Sequence, residues 1–182
     1  MRARAALGLH LPSDMSRLHE PPQAGRLALR SLARRIRALN DEPVELDQQL
    51  DRLVSAAAPR TVALFGVGTQ NASQLLITND QNIKRLRGEA AFAKLCGAAP
   101  IQASSGRTTR HHLNYSGDRQ ANRTLQMIAI CRLPYRQHTQ TYAARCKTEG
   151  LNRREILRRH KRHIARQTYH TLRADLEALN GA

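Results

Sequence analysis

Apolar residues begin to recur at helical spacing at Leu29. Leu29, Leu32, Ile36, Leu39, Leu46, Leu50 and Leu53 fall on alternating steps of three and four once position 43 is counted. That repeat belongs to a coiled-coil seam or a long helical hairpin, here assigned to residues 26–58. Position 43 is proline. Inside a helix a proline removes a backbone hydrogen bond and clashes with the preceding turn, at about 3 kcal/mol. The pattern therefore predicts two helices, roughly 26–40 and 43–56. Residues 1–25 hold Gly8, Pro12, Pro21, Pro22 and Gly25 without a sustained period, which predicts a poorly ordered leader.

Beyond the seam, residues 59–182 alternate apolar runs with turn residues, the pattern of a compact helical domain. Leu64-Phe-Gly-Val-Gly precedes a run with Ala72, Leu75 and Leu76 on one face, so residues 60–77 resemble a helix-hairpin-helix element. Gly66 and Gly68 would let the backbone approach a phosphate, and the following helix N-terminus would attract it. A short helix from Glu89 to Cys96 should pack through Ala90, Ala91, Phe92 and Leu95, with Gly97 as its C-terminal cap. Asp118 can cap a helix to about Leu133 whose buried stripe is Ala121, Leu125, Ile128 and Arg132, with Pro134 ending it. Asn152 and Glu155 form a capping box for a last helix, 152–179, with the apolar line Leu157, Ile164, Leu172, Leu176 and Leu179. The expected fold is mainly α: a helical arm or coiled-coil hairpin, then a compact basic helical domain.

Composition agrees with packed helices, since the chain has no Trp, two Phe and four Tyr, and its core must be aliphatic. Charge adds a partner. Thirty Lys and Arg face 14 acids, for a net charge of +16, and such self-repulsion is relieved by a polyanion, first of all nucleic acid. Residues 101–172 alone hold 15 of the cations against Asp118, Glu149 and Glu155. No run approaches the roughly 20 apolar residues that span a bilayer, and the polar start does not suit a secretory signal. The expectation is a cytoplasmic, nucleoid-associated protein with no membrane partner. Three widely spaced cysteines suggest neither a disulfide framework nor a zinc site.

Candidate chemistry concentrates in the cationic region. Residues 101–117 form a polar, glycine-containing loop or hairpin in which Ser104 and Ser105 stand beside Gly106, Arg107, Arg110 and His111. A serine hydroxyl can attack phosphorus if it is deprotonated and the developing charge is neutralised. Arg119 and Arg123 sit one turn apart on the next helix, and Arg153, Arg154, Arg158, Arg159, Lys161, Arg162 and Arg166 crowd the first half of the last one. A merely solvated helix would interleave acids. The acids are scattered, most of them in the seam at Asp41, Glu42, Glu45, Asp47 and Asp51, so no metal site is assigned. His160 and His163 are three apart, but their cationic neighbours favour phosphate contact or a surface role over a metal.

The stretch Glu89-Ala-Ala-Phe-Ala-Lys-Leu-Cys-Gly-Ala-Ala-Pro-Ile-Gln-Ala-Ser-Ser-Gly-Arg-Thr-Thr-Arg-His-His-Leu113, followed by Gly117-Asp-Arg-Gln-Ala-Asn-Arg-Thr-Leu125, resembles the C-terminal domain of the DEDD-type, bridge-RNA-guided insertion-sequence transposases. The similarity extends through Arg145 to Gly150 and the basic helix, and back to about Arg26. It implies a truncated transposase without its N-terminal RuvC-like domain, through which Mg²⁺ would be bound, so that the chain alone would bind no cofactor. It implies Ser105 as the nucleophile, with Ser104 as the fallback, and Arg107, Arg110 and His111 beside a DNA strand near Arg119 and Arg123. Implied partners are DNA, a guide RNA and a second copy or an intact transposase. Pro43 and the glycine-free turn Thr78-Asn-Asp-Gln-Asn82 depart from the family pattern. The alternative is a non-catalytic nucleic-acid-binding remnant or regulator of intact transposase; a structural RNA-binding protein of ribosomal type explains the charge but neither the serines nor the seam.

Overall fold

The computed structural model describes residues 16, 19–79, 87–102, 111–112, 114 and 116–181. The fold is mainly α, and the chain divides into two compact units, Met1–Gln49 and Leu50–Ala182. Helix α1 (Pro21–Ala57) supplies the helix of the first unit and, from Leu50, the opening element of the second. Pro21 and Pro22 start it, where first-turn amides lack partners within the helix anyway. Residues 21–25, expected in the leader, are therefore helical; residues 1–15 lie outside the described residues.

Helix α1 runs through Pro43, so the predicted division into two helices does not occur and no hairpin turn falls within 26–58. The proline deprives only the carbonyl of Leu39 of its partner. Residues 37–49 are all exposed, so water can take that carbonyl, and the flanking Leu, Arg, Glu and Gln favour the helix. Leu29, Leu32, Leu39, Leu46 and Leu53 are each more than half exposed along it.

In the second unit Ala58 (φ −140°, ψ 56°) breaks the helix, and α2 (Pro59–Val62) turns away. The break is held by Asp175, whose carboxylate accepts from the amides of Arg60 (3.1 Å) and Thr61 (2.9 Å) and from the Thr61 hydroxyl (2.8 Å). A turn with Gly66 at φ +80° leads into α3 (Thr69–Asn79), in the stretch read as a helix-hairpin-helix-like element. Then come α4 (Glu89–Leu95), β1 (Ile101–Gln102) antiparallel to β2 (His111–His112), α5 (Arg119–Tyr135), α6 (Gln137–Thr148) and α7 (Arg153–Asn180).

Helix α7 organises this unit, touching α2, α4, α5 and α6. Its start is the expected capping box: the Asn152 side chain accepts from the Glu155 amide (3.0 Å), and the Glu155 carboxylate accepts from the Asn152 amide (2.9 Å). Ile164, Leu172 and Leu176 bury beside Leu75, Phe92, Leu125 and Ile128, each such side chain contributing about 1.5–3 kcal/mol. Three details differ from the sequence reading. Helix α4 buries Phe92 and Ala93, leaving Ala90 and Ala91 exposed, because its single bulky aromatic sets the inward face against Tyr169, ring centroids 6.2 Å apart. Helix α5 continues past Pro134 to Tyr135, since a proline in the last turn costs only one bond there. Leu179 is exposed, one turn beyond the end of the core.

Candidate nucleic-acid interface

The segment that carries the two serines is closed at its base by two glycines. Gly97 adopts φ +62°, and a Cβ on Gly117 would stand 2.2 Å from the Gly97 nitrogen and 2.4 Å from its Cα, so only glycine allows the two backbones to meet. The Asp118 amide donates to the Leu95 carbonyl across the same junction (2.7 Å). Asn122 of α5 donates from its Nδ2 to the carbonyls of Cys96 (3.0 Å) and Gly97 (2.8 Å), and its Oδ1 accepts from the Lys161 ammonium of α7 (2.9 Å). Further out, Ile101 pairs with His112 and Gln102 with His111. Gln102 and His111 are thus paired in a two-stranded ribbon, and the glycine junction below it is tied to α5 and α7 through Asn122 and Lys161.

Asp118 works on both sides of this junction. Its carboxylate caps α5 by accepting from the amides of Gln120 (2.7 Å) and Ala121 (3.3 Å), and it accepts from the Thr78 hydroxyl (2.7 Å). Burial alone would raise its pKa, but the bonds from Thr78, Gln120 and Ala121 outweigh that and hold it below the ordinary value.

Beside the ribbon lies a hollow of about 440 Å³. Its walls are the turn 97–100 and Asn114, on either flank of the serine segment, together with the facing sides of α6 and α7. Arg145, Arg158, Arg159, Lys161 and Arg162 line it against Glu149 and Glu155. Glu155 is engaged in the capping box, and Glu149 is shared by Arg159 (3.3 Å) and Arg145 (3.7 Å). These pairs are exposed and each contributes under about 1 kcal/mol, so a phosphate can displace Glu149 at little cost. Burial, and then Arg158, lower the pKa of Lys161; burial, and then Cys146, push the Tyr142 hydroxyl up to about 12, so it remains a proton donor.

The predicted site residues divide accordingly. Arg158, Arg159, Lys161 and Arg162 meet at the hollow, but Lys161 is buried and turned inward as a structural donor to Asn122. Arg162 also donates to the Glu89 carbonyl (3.0 Å). Arg153 and Arg154 are exposed on the first turn of α7, and Arg119 and Arg123 lie on the first two turns of α5; none of these four lines the hollow. Gly68 is exposed with open space beside it, whereas Gly66 packs against Cys131 of α5, its absent Cβ 3.5 Å from that Sγ. The backbone of His111 is in β2; Ser104, Ser105, Arg107 and Arg110 lie outside the described residues. His160, read as a phosphate contact or surface residue, is buried. Sequence reasoning placed Asn114 and Gly117 in the polar loop without a role of their own, and it missed Asn122, Tyr142 and Arg145. Asn122 and Gly117 stand inside the family-like stretch, but neither residue type announces a tertiary contact.

Among the described residues no three His, Cys, Asp or Glu side chains converge as a metal site, and no helix is long and apolar enough to cross a membrane. No curated protein matches the chain. Residues 62–144, which run from the end of α2 through the Gly-Val-Gly turn, the ribbon, α5 and most of α6, match the model of the Transposase IS116/IS110/IS902 family. That match supports an insertion-sequence transposase, and with it DNA binding and DNA transposition as the general function of this region.

Proposed function

We propose that the chain acts as the DNA-binding and serine-bearing half of an insertion-sequence transposase, the hollow beside the ribbon receiving the strand that Ser105 attacks. One observation carries this reading: both flanks of the serine segment, the 97–100 turn and Asn114, wall the same cationic hollow as Arg145, Arg158, Arg159 and Arg162. In that setting the Ser105 oxygen bonds to phosphorus, the bond from phosphorus to the neighbouring sugar oxygen breaks, and that oxygen leaves with a proton. The arginines neutralise the charge that grows on the phosphoryl oxygens.

Among the described residues, the carboxylates of the second unit do not fit the Mg²⁺ implied by the resemblance. Asp118 caps α5, Asp175 holds α2, Glu155 caps α7, Asp51 accepts from the Thr69 hydroxyl, and Glu89, Glu149 and Glu177 pair with arginines, so each already has its partners. In this reading the metal belongs with a RuvC-like domain, a guide RNA is the second polyanion, and the exposed seam of α1 pairs with the same seam of another copy or of an intact transposase.

The test is a covalent adduct. Alone, the chain binds DNA without cleaving it; with a RuvC-like domain in trans, Mg²⁺ and guide RNA, a phosphoserine bond to a DNA end is expected. Ser105→Ala should abolish that adduct and leave binding intact. An adduct lost only in Ser104→Ala moves the nucleophile by one residue. If both variants recombine DNA like the parent, the serine role is wrong and the non-catalytic regulator is the reading to keep.

A further inference from the structure

A second, larger hollow lies away from the ribbon. It measures about 780 Å³ and is walled by Leu64 and Phe65 just before the Gly-Val-Gly turn, by the junction of α5 with α6, and by α7, including Arg132, Arg136, Tyr142, Arg145 and His160. Among the described residues no aspartate or glutamate lines it. The first hollow carries Glu149 and Glu155, so its field is partly cancelled; here only Arg145, which lines both hollows, pairs with one of those acids, and an anion is the fitting guest.

Three features narrow the guest further. Arg132 is buried and its guanidinium is spent on two neutral acceptors, the Phe65 carbonyl (2.8 Å from Nε) and the Gln167 side-chain oxygen (2.6 Å), which fix it without cancelling its charge. The walls are flat: Arg136 lies 4.8 Å over the Phe65 ring, Arg145 lies 5.6 Å from the Tyr142 ring centre, and His163 meets that ring edge-on at 5.5 Å. The His160 ring is buried, and its Nε2 has no hydrogen-bond partner. A buried polar atom left without a partner costs free energy that a ligand's polar edge can recover.

We propose that this hollow holds one unpaired nucleotide of the bound nucleic acid, its phosphate against Arg132, Arg136 and Arg145, its base stacked on Phe65 or Tyr142 with a polar edge reaching His160. The inference rests on nucleic-acid binding as proposed above and adds to it a preference for a nucleotide out of its helix. The volume falls in the range of about 300–1,000 Å³ typical of small-ligand sites. An acidic peptide would answer the charge but leave the flat walls and the imidazole unmatched. Burial, then Arg132, drive the pKa of His160 down to about 4, so near neutral pH the ring is uncharged and suited to a neutral base edge.

The experiment uses the full chain and three duplexes: one fully paired, one with a single-nucleotide bulge, and one with the same bulge lacking its base. Binding of the bulge roughly 10-fold tighter than its abasic counterpart is expected, from the stacking of one base on an aromatic ring. The double variant Phe65→Ala, Arg136→Gln, whose positions line only this hollow, should lose that preference and keep its affinity for the paired duplex. Equal binding of the two bulges by the parent overturns the proposal, as does a preference that survives in the double variant. Displacement of the bulged duplex by a short polyglutamate at lower concentration than by a single-stranded oligonucleotide overturns it in favour of an acidic peptide. Loss of salt-dependent binding to all three duplexes would instead bring down the nucleic-acid reading itself, and this inference with it.

Discussion

Helices α1 and α7 are both long, both amphipathic and both marked by leucines at helical spacing, yet only α7 buries any of its leucines completely. Leu172 and Leu176 have essentially no exposed surface, while Leu39, Leu46 and Leu53 are 58%, 56% and 70% exposed. The difference lies in what each helix can fold against. Helix α7 is capped, faces four other helices of its own unit and carries Asp175 to fasten α2. The first 29 residues of α1, Pro21–Gln49, have no other described helix in their unit. The same periodicity therefore marks an intramolecular core in one case and an exposed apolar stripe in the other.

The sharpest way to break this contrast is to cut the same side chain in both helices. Leu172→Ala should destabilise the second unit by about 2–5 kcal/mol, read as a lowered urea midpoint, because it opens a cavity in a closed core. Leu39→Ala should leave that midpoint within about 0.5 kcal/mol. An effect of equal size would show that the seam is covered within the chain.

Gly117→Ala comes next. The added methyl would press into the Gly97 backbone, and overpacking of that kind costs about 1–3 kcal/mol. The ribbon should loosen, with faster amide exchange at Ile101 and His112; unchanged exchange would refute the role given to the two glycines.

Acid should act on α7 in the same way, through its own titrating groups. The pKa of His160 falls to about 4 from an ordinary 6.5, and that of His163 is also lowered, in both cases first by burial. Below about pH 6.5 the unfolded chain takes up protons that the folded chain refuses, so stability falls on acidification toward pH 4 and is complete above 6.5. Glu89, held below its ordinary value by His170 and Arg166, and Asp118 extend the loss to lower pH. His160→Gln should flatten the upper part of this profile; a profile that keeps its slope there would show that another group carries it. The smallest effect on the second unit is expected from Leu39→Asp with Leu46→Asp, which should leave its melting unchanged while abolishing self-association in sedimentation. Sedimentation identical to that of the parent would remove the seam as an assembly surface.

Much of α7 and α5 was legible because capping residues and apolar spacing are local: Asn152, Glu155 and Asp118 do what their positions suggest. Helix α6 was not, since Gln137–Thr148 buries only Thr139 and Cys146 and lacks a side-chain cap, leaving no periodic signal. The cationic site was legible as composition but not as geometry. Nothing local tells that Lys161 turns inward to Asn122 while Arg158 and Arg159 face the hollow, or that Arg145 joins them from another helix. Pro43 misled for a related reason: its cost is local and certain, but the solvent and helix-forming flanks that offset it are read only from the folded chain.

Phosphate binding by the arginines of the hollow beside the ribbon is read from a salt titration of DNA binding by the parent and by the triple variant Arg158→Gln, Arg159→Gln, Arg162→Gln, with melting checked on both. With six to ten phosphates engaged, the parent should lose roughly 10³- to 10⁵-fold in affinity between about 50 and 200 mM salt, and every phosphate that the variant no longer neutralises should lower the log–log slope by about 0.9. A parent with no salt dependence, or a folded variant with the parent's slope, would contradict the account.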